Sequence, residues 1–253
     1  MNRKKNRLAA FVTASLTAFL TATIAALAIL AVAANSAARP AHRPAPASVK
    51  DASLFAPDKG SFRILVNGQQ MGKETFDIAP NGPNWVAHGT SEIQTPDGVT
   101  HVSGTLELHP DGTPARYEWS TQGVKKAAAT IAFTGATAMI DLRIEGVKPY
   151  SQQFTFNSTP IVVLDNNLYH QYAVLARLYD RDKKGAQTFS VLVPQELTPG
   201  SVTVESLGTQ NVGGKNLEEL TVKTEDLEVD LYLDNQRLVR IVAPSTNAEI
   251  LRD

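Results

Sequence analysis

Histidine is the side chain best suited to hold a metal or move a proton near neutral pH, and this chain has five: His42, His88, His101, His109 and His170. An extended chain over Val99–His109 puts His101, Glu107 and His109 on one face with Ser103 and Thr105. At about 3.4 Å per residue His101 and His109 stand about 27 Å apart, too far to share an ion. His109 and Glu107 are close enough, but a third ligand from His88 would lie opposite Thr105, so the spacing assembles no tetrahedral zinc set. Solvent-facing strand positions account for these residues, with His101 opposite Glu92 as an exposed cross-strand ion pair.

Other chemistry is sparse. The sequence holds no G-x-S-x-G and no H-E-x-x-H. Asp180-Arg181-Asp182-Lys183-Lys184-Gly185 imitates the start of a calcium loop, but Lys184 and Val191 stand where ligands are required, so it reads as a turn. The acidic pairs Glu218-Glu219 and Glu225-Asp226 sit beside turns among mixed charges and read as solvated hairpin ends rather than glycosidase carboxylates. These observations point to no enzyme, no catalytic residue, no metal and no cofactor. A polysaccharide-acting enzyme stays as the weakest of three functional readings.

Aromatic residues are the more suggestive group. Trp85, Tyr117 and Trp119 share the apolar face of neighbouring strands, and Tyr169, Tyr172 and Tyr179 fall on the one helical segment, with Leu175 on its apolar stripe. Plain core explains such a cluster. A cavity for an apolar ligand also explains it, with Trp85, Tyr117, Trp119, Tyr172 and Leu175 as lining, because Gly89, Ser91, Gly104 and Ala87 would leave volume on the same face.

The elements that must position these residues are mainly strands. Gly60–Val66 alternates Phe62, Ile64 and Val66 and meets Asn67-Gly68, a strong hairpin signal because a type I′ turn needs positive φ at both residues. Phe76 and Ile78 on the returning strand have the wrong parity for a regular pairing, which predicts a bulge at Gly72. Thr95-Pro96-Asp97-Gly98 sets a second hairpin that pairs Glu92 with His101, His88 with Thr105 and Val86 with Glu107. The opposite face then collects Trp85, Ala87, Ile93, Val102, Leu106 and Leu108. Pro110–Gly112, Thr134-Gly135 and Asp234-Asn235 turn further alternating strands. Only Asn167–Tyr179 has helical spacing, with Asp165-Asn166 as N-cap residues. The pattern predicts an all-β domain over residues 58–253: a half-open antiparallel barrel or strongly curved meander with one covering helix.

Upstream of that domain, Arg3, Lys4, Lys5 and Arg7 precede the uncharged stretch Leu8–Ala34, followed by small residues that offer cleavage sites. Residues 1–37 therefore read as a signal peptide or an N-terminal membrane anchor through residues 8–34, and both place the domain outside the cytoplasm, in the periplasm or cell envelope. Residues 38–57, rich in Ala and Pro, read as a tether. The chain has no cysteine, so neither a lipid-modified cysteine nor a disulfide framework is available. Setting aside the four leader cations takes the formal net charge from −1 to −5, without the basic cluster that nucleic acid would require.

The signature formed by Gly60, Phe62, Ile64, Gly68, Gly72, Glu74 and Phe76, the run Phe189–Pro194 and the ending LYLDNQRLVRIVAP…AEILR resemble exported bacterial domains of unknown function. The resemblance implies a half-open barrel shared with the lipoprotein carriers LolA and LolB. It transfers no catalytic residue. The expected function is a non-enzymatic extracytoplasmic binding module for an apolar or lipid-like ligand, with a structural or interaction protein of the envelope as the alternative.

Overall fold

A computed structural model describes residues 53–253 apart from 124, 225 and 226. The leader, the anchor expected over residues 8–34 and most of the tether lie outside the described residues. No described helix is long and apolar enough to cross a membrane.

Fifteen strands form one sheet. Its first half is a meander of β1 (Asp58–Val66), β2 (Gln69–Asn81), β3 (Asn84–Thr95), β4 (Gly98–Leu108), β5 (Pro114–Gln122), β6 (Ala127–Thr134), β7 (Thr137–Ile144) and β8 (Tyr150–Thr155). After β8 the chain crosses the molecule through β9 (Ile161–Val163) and helix α1 (His170–Leu178). A second meander follows: β10 (Gln187–Val193), β11 (Thr198–Val212), β12 (Lys215–Lys223), β13 (Glu228–Asp234), β14 (Arg237–Ala243) and β15 (Ala248–Arg252). The pairing of β15 with β1 joins the halves, leaving β8 and β9 as the two ends of the sheet. All described pairings are antiparallel except β9 with β10. The sheet curls until β9 packs on β5, and α1 crosses the interior against β3 and β14. This is the all-β, half-open curved sheet that alternation and turn chemistry predict.

Its registers follow from the turns. In the β3–β4 hairpin Glu92 pairs with His101, His88 with Thr105, Val86 with Glu107 and Trp85 with Leu108, as Pro96-Asp97 dictates. Glu92 and His101 are neighbours, but Glu92 makes no ion pair with any described residue. In the first hairpin Leu65 pairs with Gln70 and Ile64 with Gly72, so the inserted residue is Met71, one before the expected Gly72. Glycine is required beside the bulge for another reason: a Cβ at Gly72 would lie 2.5 Å from the Glu92 carbonyl oxygen. The β13–β14 turn, by contrast, is one residue later than expected, at Asn235-Gln236, both at positive φ.

The helix begins three residues later than its spacing suggested. Asp165 accepts the Asn167 N–H at 3.1 Å in a local turn and caps no helix. At the other end of the chain Phe55 is buried with its ring 5.8 Å from that of Trp85, so packing starts inside the stretch read as tether.

Two neighbouring substitutions report the register. Leu106 is fully buried and Thr105 is half-exposed, bonded to His88 Nδ1 at 2.9 Å. Leu106→Asp buries a charge without a partner and should cost about 4 kcal/mol or more of unfolding free energy, whereas Thr105→Asp should stay within about 1 kcal/mol of the parent. Urea denaturation of both variants checks this; equal losses would mean that the strand faces are misassigned.

Candidate functional site

Glu74 is the least expected side chain of the interior. The Met71 bulge turns even-numbered residues of β2 inward, which buries Glu74 completely between Gly72 and Phe76. Its carboxylate meets the start of α1, where the first N–H groups of a helix have no partner within the helix. Tyr169 N–H donates to Oε2 at 2.8 Å and His170 N–H to Oε1 at 3.3 Å. His170 Nδ1 lies 2.5 Å from the same Oε1, with both side chains sealed from solvent. A strand carboxylate thus does the work that Asp165 and Asn166 were expected to do, and its negative charge suits the positive end of the helix dipole.

The surrounding strands are shaped for this contact. Gly89 and Gly104 are cross-strand partners on β3 and β4. A Cβ at Gly89 would run into the His170 ring, and one at Gly104 into Leu168 and the Tyr117 hydroxyl. The volume expected for a ligand is therefore filled by the chain's own Leu168 and His170. On its other side the His170 ring stacks on Phe76 at 5.9 Å, Phe76 stacks on Phe62 at 5.0 Å, and the Arg252 guanidinium lies 5.0 Å from the Phe76 centroid. Arg252 in turn holds Asp58 through two bonds of 2.7 and 3.1 Å, which ties the column to the β1–β15 seam.

A second buried set pins the segment ahead of the helix. Tyr117 Oη donates to Asp165 Oδ2 at 2.8 Å, and the Asp165 N–H donates to Gln171 Oε1 at 2.5 Å. Burial raises the Asp165 carboxyl from the usual 3.8 to about 6, against the lowering effect of the bonds from Tyr117 and the Asn167 N–H. Burial, and then the charge of Asp165, push the Tyr117 phenol well above its ordinary range.

Chemically, an imidazole that gives Nδ1 to a carboxylate and leaves Nε2 without a partner has the polarity of a proton relay. Ser91 Oγ, on the inner face opposite Glu74, also has no partner, so no nucleophile is bonded to Nε2. His170 and Glu74 are both sealed from solvent. The arrangement positions the crossing segment. Sequence reading missed it, although the parity that brings Phe76 and Ile78 inward already brought Glu74 with them.

The five residues named from the sequence belong to the same interior. Tyr117 and Leu175 are fully buried, Trp85 and Trp119 nearly so, and Tyr172 is half-buried against the same core. They are brought together as packed side chains around the crossing segment.

Open space lies on the other face of the sheet. A trough of about 290 Å³ runs across β2 to β5. Strand register aligns two rows of side chains along it: Thr75, Thr90, Ser103 and Ser120, then Lys73, Glu92, His101 and Gln122. The Thr75 and Thr90 hydroxyls are 2.9 Å apart. No hydrogen bond joins His101 to Glu92 or to a hydroxyl of the first row, so among the described residues the trough holds no bonded base–nucleophile pair.

No family model matches the chain, and no curated protein matches it either. Among solved structures it is similar to a beta-barrel-like protein of the domain of unknown function DUF1849 from Brucella abortus, with TM-score 0.53 and 9% identity over 78% of this chain and 94% of that one. It also matches a DUF1089 family protein from Pseudomonas aeruginosa, with TM-score 0.45 and 9% identity over 68% and 89% of the two chains. The first likeness supports the barrel-like fold and does not reach the LolA and LolB carriers in particular.

Two expectations follow from the buried contacts. Gly89→Ala should cost about 1–3 kcal/mol because the His170 ring cannot retreat, whereas Gly200→Ala on β11, where a Cβ meets nothing within 4 Å, should be near neutral; thermal unfolding of both proteins makes the comparison. Asp165 binds its proton more tightly folded than unfolded, so its contribution to stability is present below about pH 4 and is lost as pH rises to about 6. The loss is about 3 kcal/mol. Urea unfolding from pH 4 to 7 should show this decline in the parent and a flatter profile in Asp165→Asn; parallel profiles would contradict the assignment.

Proposed function

We propose that the chain is an exported, non-enzymatic binding module whose ligand is a hydroxyl-rich polar molecule, such as a saccharide, seated in the trough across β2 to β5. The trough itself carries this reading, since it supplies about 290 Å³ of open space lined by aligned hydroxyl and charged side chains. Hydroxyls of Thr and Ser both donate and accept, which suits a partner whose own groups do the same. Adjacent strands about 4.8 Å apart make the four-strand rows about 15 Å long, enough for an extended rather than a compact ligand. Lys73 and Glu92 balance each other in charge, so the ligand need not be ionic. The export expected from the leader sequence agrees with a ligand among envelope saccharides, and the mildly acidic remainder argues against nucleic acid as a partner.

The apolar-ligand reading, with Trp85, Tyr117, Trp119, Tyr172 and Leu175 as lining, stands second. It is favoured by the glycine notch at Gly89 and Gly104, and it requires a lipid to displace Leu168 and His170 from that notch.

Calorimetric titration of the exported chain with neutral oligosaccharides of increasing length separates the two readings from each other. Saturable binding should strengthen with length and fall at least tenfold in Thr90→Leu and Ser103→Leu, with their unfolding midpoints nearly unchanged. A saturable shift in tryptophan emission with fatty acid or phospholipid, and no saccharide binding, would instead favour the second reading.

A further inference from the structure

The two ends of the open sheet are built differently. β9 has three residues, all buried, and Pro160 immediately before it, and it lies against β5. That end is short and covered, which is how sheets avoid unwanted pairing. β8 has six residues, paired among the described strands only with β7, in a continuous register without a bulge. Lys148 and Pro149 stand just before it, but its own sequence Tyr-Ser-Gln-Gln-Phe-Thr contains no charge and no proline, so the six paired residues themselves are not blunted. Of the six large apolar side chains exposed among the described residues, Met139, Val147 and Tyr150 gather at this end.

We propose that β8 is the seam of a reversible homodimer, in which β8 strands from two copies pair antiparallel about a two-fold axis at Gln152. The outward N–H and C=O groups of β8, paired with no second strand among the described residues, call for another strand, and a two-fold axis requires that strand to be complementary to itself. β8 is self-complementary in this register. On the inner face Tyr150 meets the partner's Phe154 twice, and Gln152 meets its own copy, two amides that each donate and accept. On the outer face Ser151 meets the partner's Gln153. Asp141, which accepts the Ser151 hydroxyl and pairs with Ser151 across the strands, looks over the seam to an amide and then to the partner's Met139, so no like charges are opposed. The exposed Tyr150 ring is covered. A six-residue seam buries less than the roughly 1,200–2,000 Å² of a stable complex, so the dimer is weak and its fraction rises with concentration. The trough lies three or more strands from the seam, which leaves two ligand sites on one continuous sheet.

The absence of cysteine makes the seam directly testable on the exported chain. Opposed residues of an antiparallel pair have Cα atoms about 4.5–5.5 Å apart, within disulfide range. Gln152→Cys should form a covalent dimer under mild oxidation. Gln153→Cys, displaced from the axis, and Leu207→Cys, exposed on β11, should link far less. Sedimentation equilibrium of the parent should show monomer and dimer in reversible exchange, and Gln152→Lys should be monomeric with an unchanged unfolding midpoint. A parent that is monomeric at every concentration, or cross-linking of Gln152→Cys no greater than that of Leu207→Cys, would overturn the proposal, as would linkage through Gln153→Cys in preference to Gln152→Cys.

Discussion

The position of the crossing segment depends on one buried carboxylate. Glu74 accepts two backbone N–H groups at the start of α1 and faces His170 Nδ1, so a single strand residue orients both the helix and its first ring. Leaving either partner buried without the other costs about 3–5 kcal/mol, a large share of the 5–15 kcal/mol that a domain of this size has in hand. An apolar pair of similar volume would avoid burying charge, but it would leave the helix N–H groups unsatisfied in a dry interior, at about 1–3 kcal/mol each. The carboxylate therefore specifies where the helix begins as well as holding it.

That role depends on backbone geometry elsewhere. Without the inserted Met71, β2 would present Glu74 to solvent and Lys73 to the core. Without glycine at positions 89 and 104, the strands facing Glu74 could not admit the ring of His170 and the side chain of Leu168. Bulge, glycine pair and helix start act as one unit spread over residues 71–170. In a chain with no cysteine, this unit, the Tyr117–Asp165 bond, the Arg181–Glu218 pair and the Arg252–Asp58 link are among the long-range polar ties between the two meanders and the segment that crosses them.

Much of this fold is legible in sequence because its information is local. Pro96-Asp97 and Asn67-Gly68 each fix a turn, a turn fixes a register, and the register sorts every flanking side chain to one face. The start of α1 was not legible, because Asp165 and Asn166 offer ordinary capping chemistry and only the fold shows that Glu74, about ninety residues earlier, supplies it. The glycine pair was read as empty volume for the same reason: the sequence shows where side chains are missing, and only the packed segment shows what fills the space. The trough was invisible for a different cause. Its residues are ordinary solvent-facing Thr, Ser, Lys and Glu, and they line a trough only through the curvature of the sheet.

Curvature also explains why the inside and outside of the sheet divide their tasks. Bulges between Ile64 and Leu65, Glu107 and Leu108, Ser206 and Gly208, and Tyr232 and Leu233 bend the strands around the core. A sheet bent far enough for β9 to reach β5 has an interior that one helix and its lead-in can fill, and here they fill it with Leu168, His170 and Leu175. A ligand inside must then compete with covalently tethered residues already seated at high effective concentration. One outside competes only with water, and this difference favours the polar face as the place where the molecule meets its surroundings.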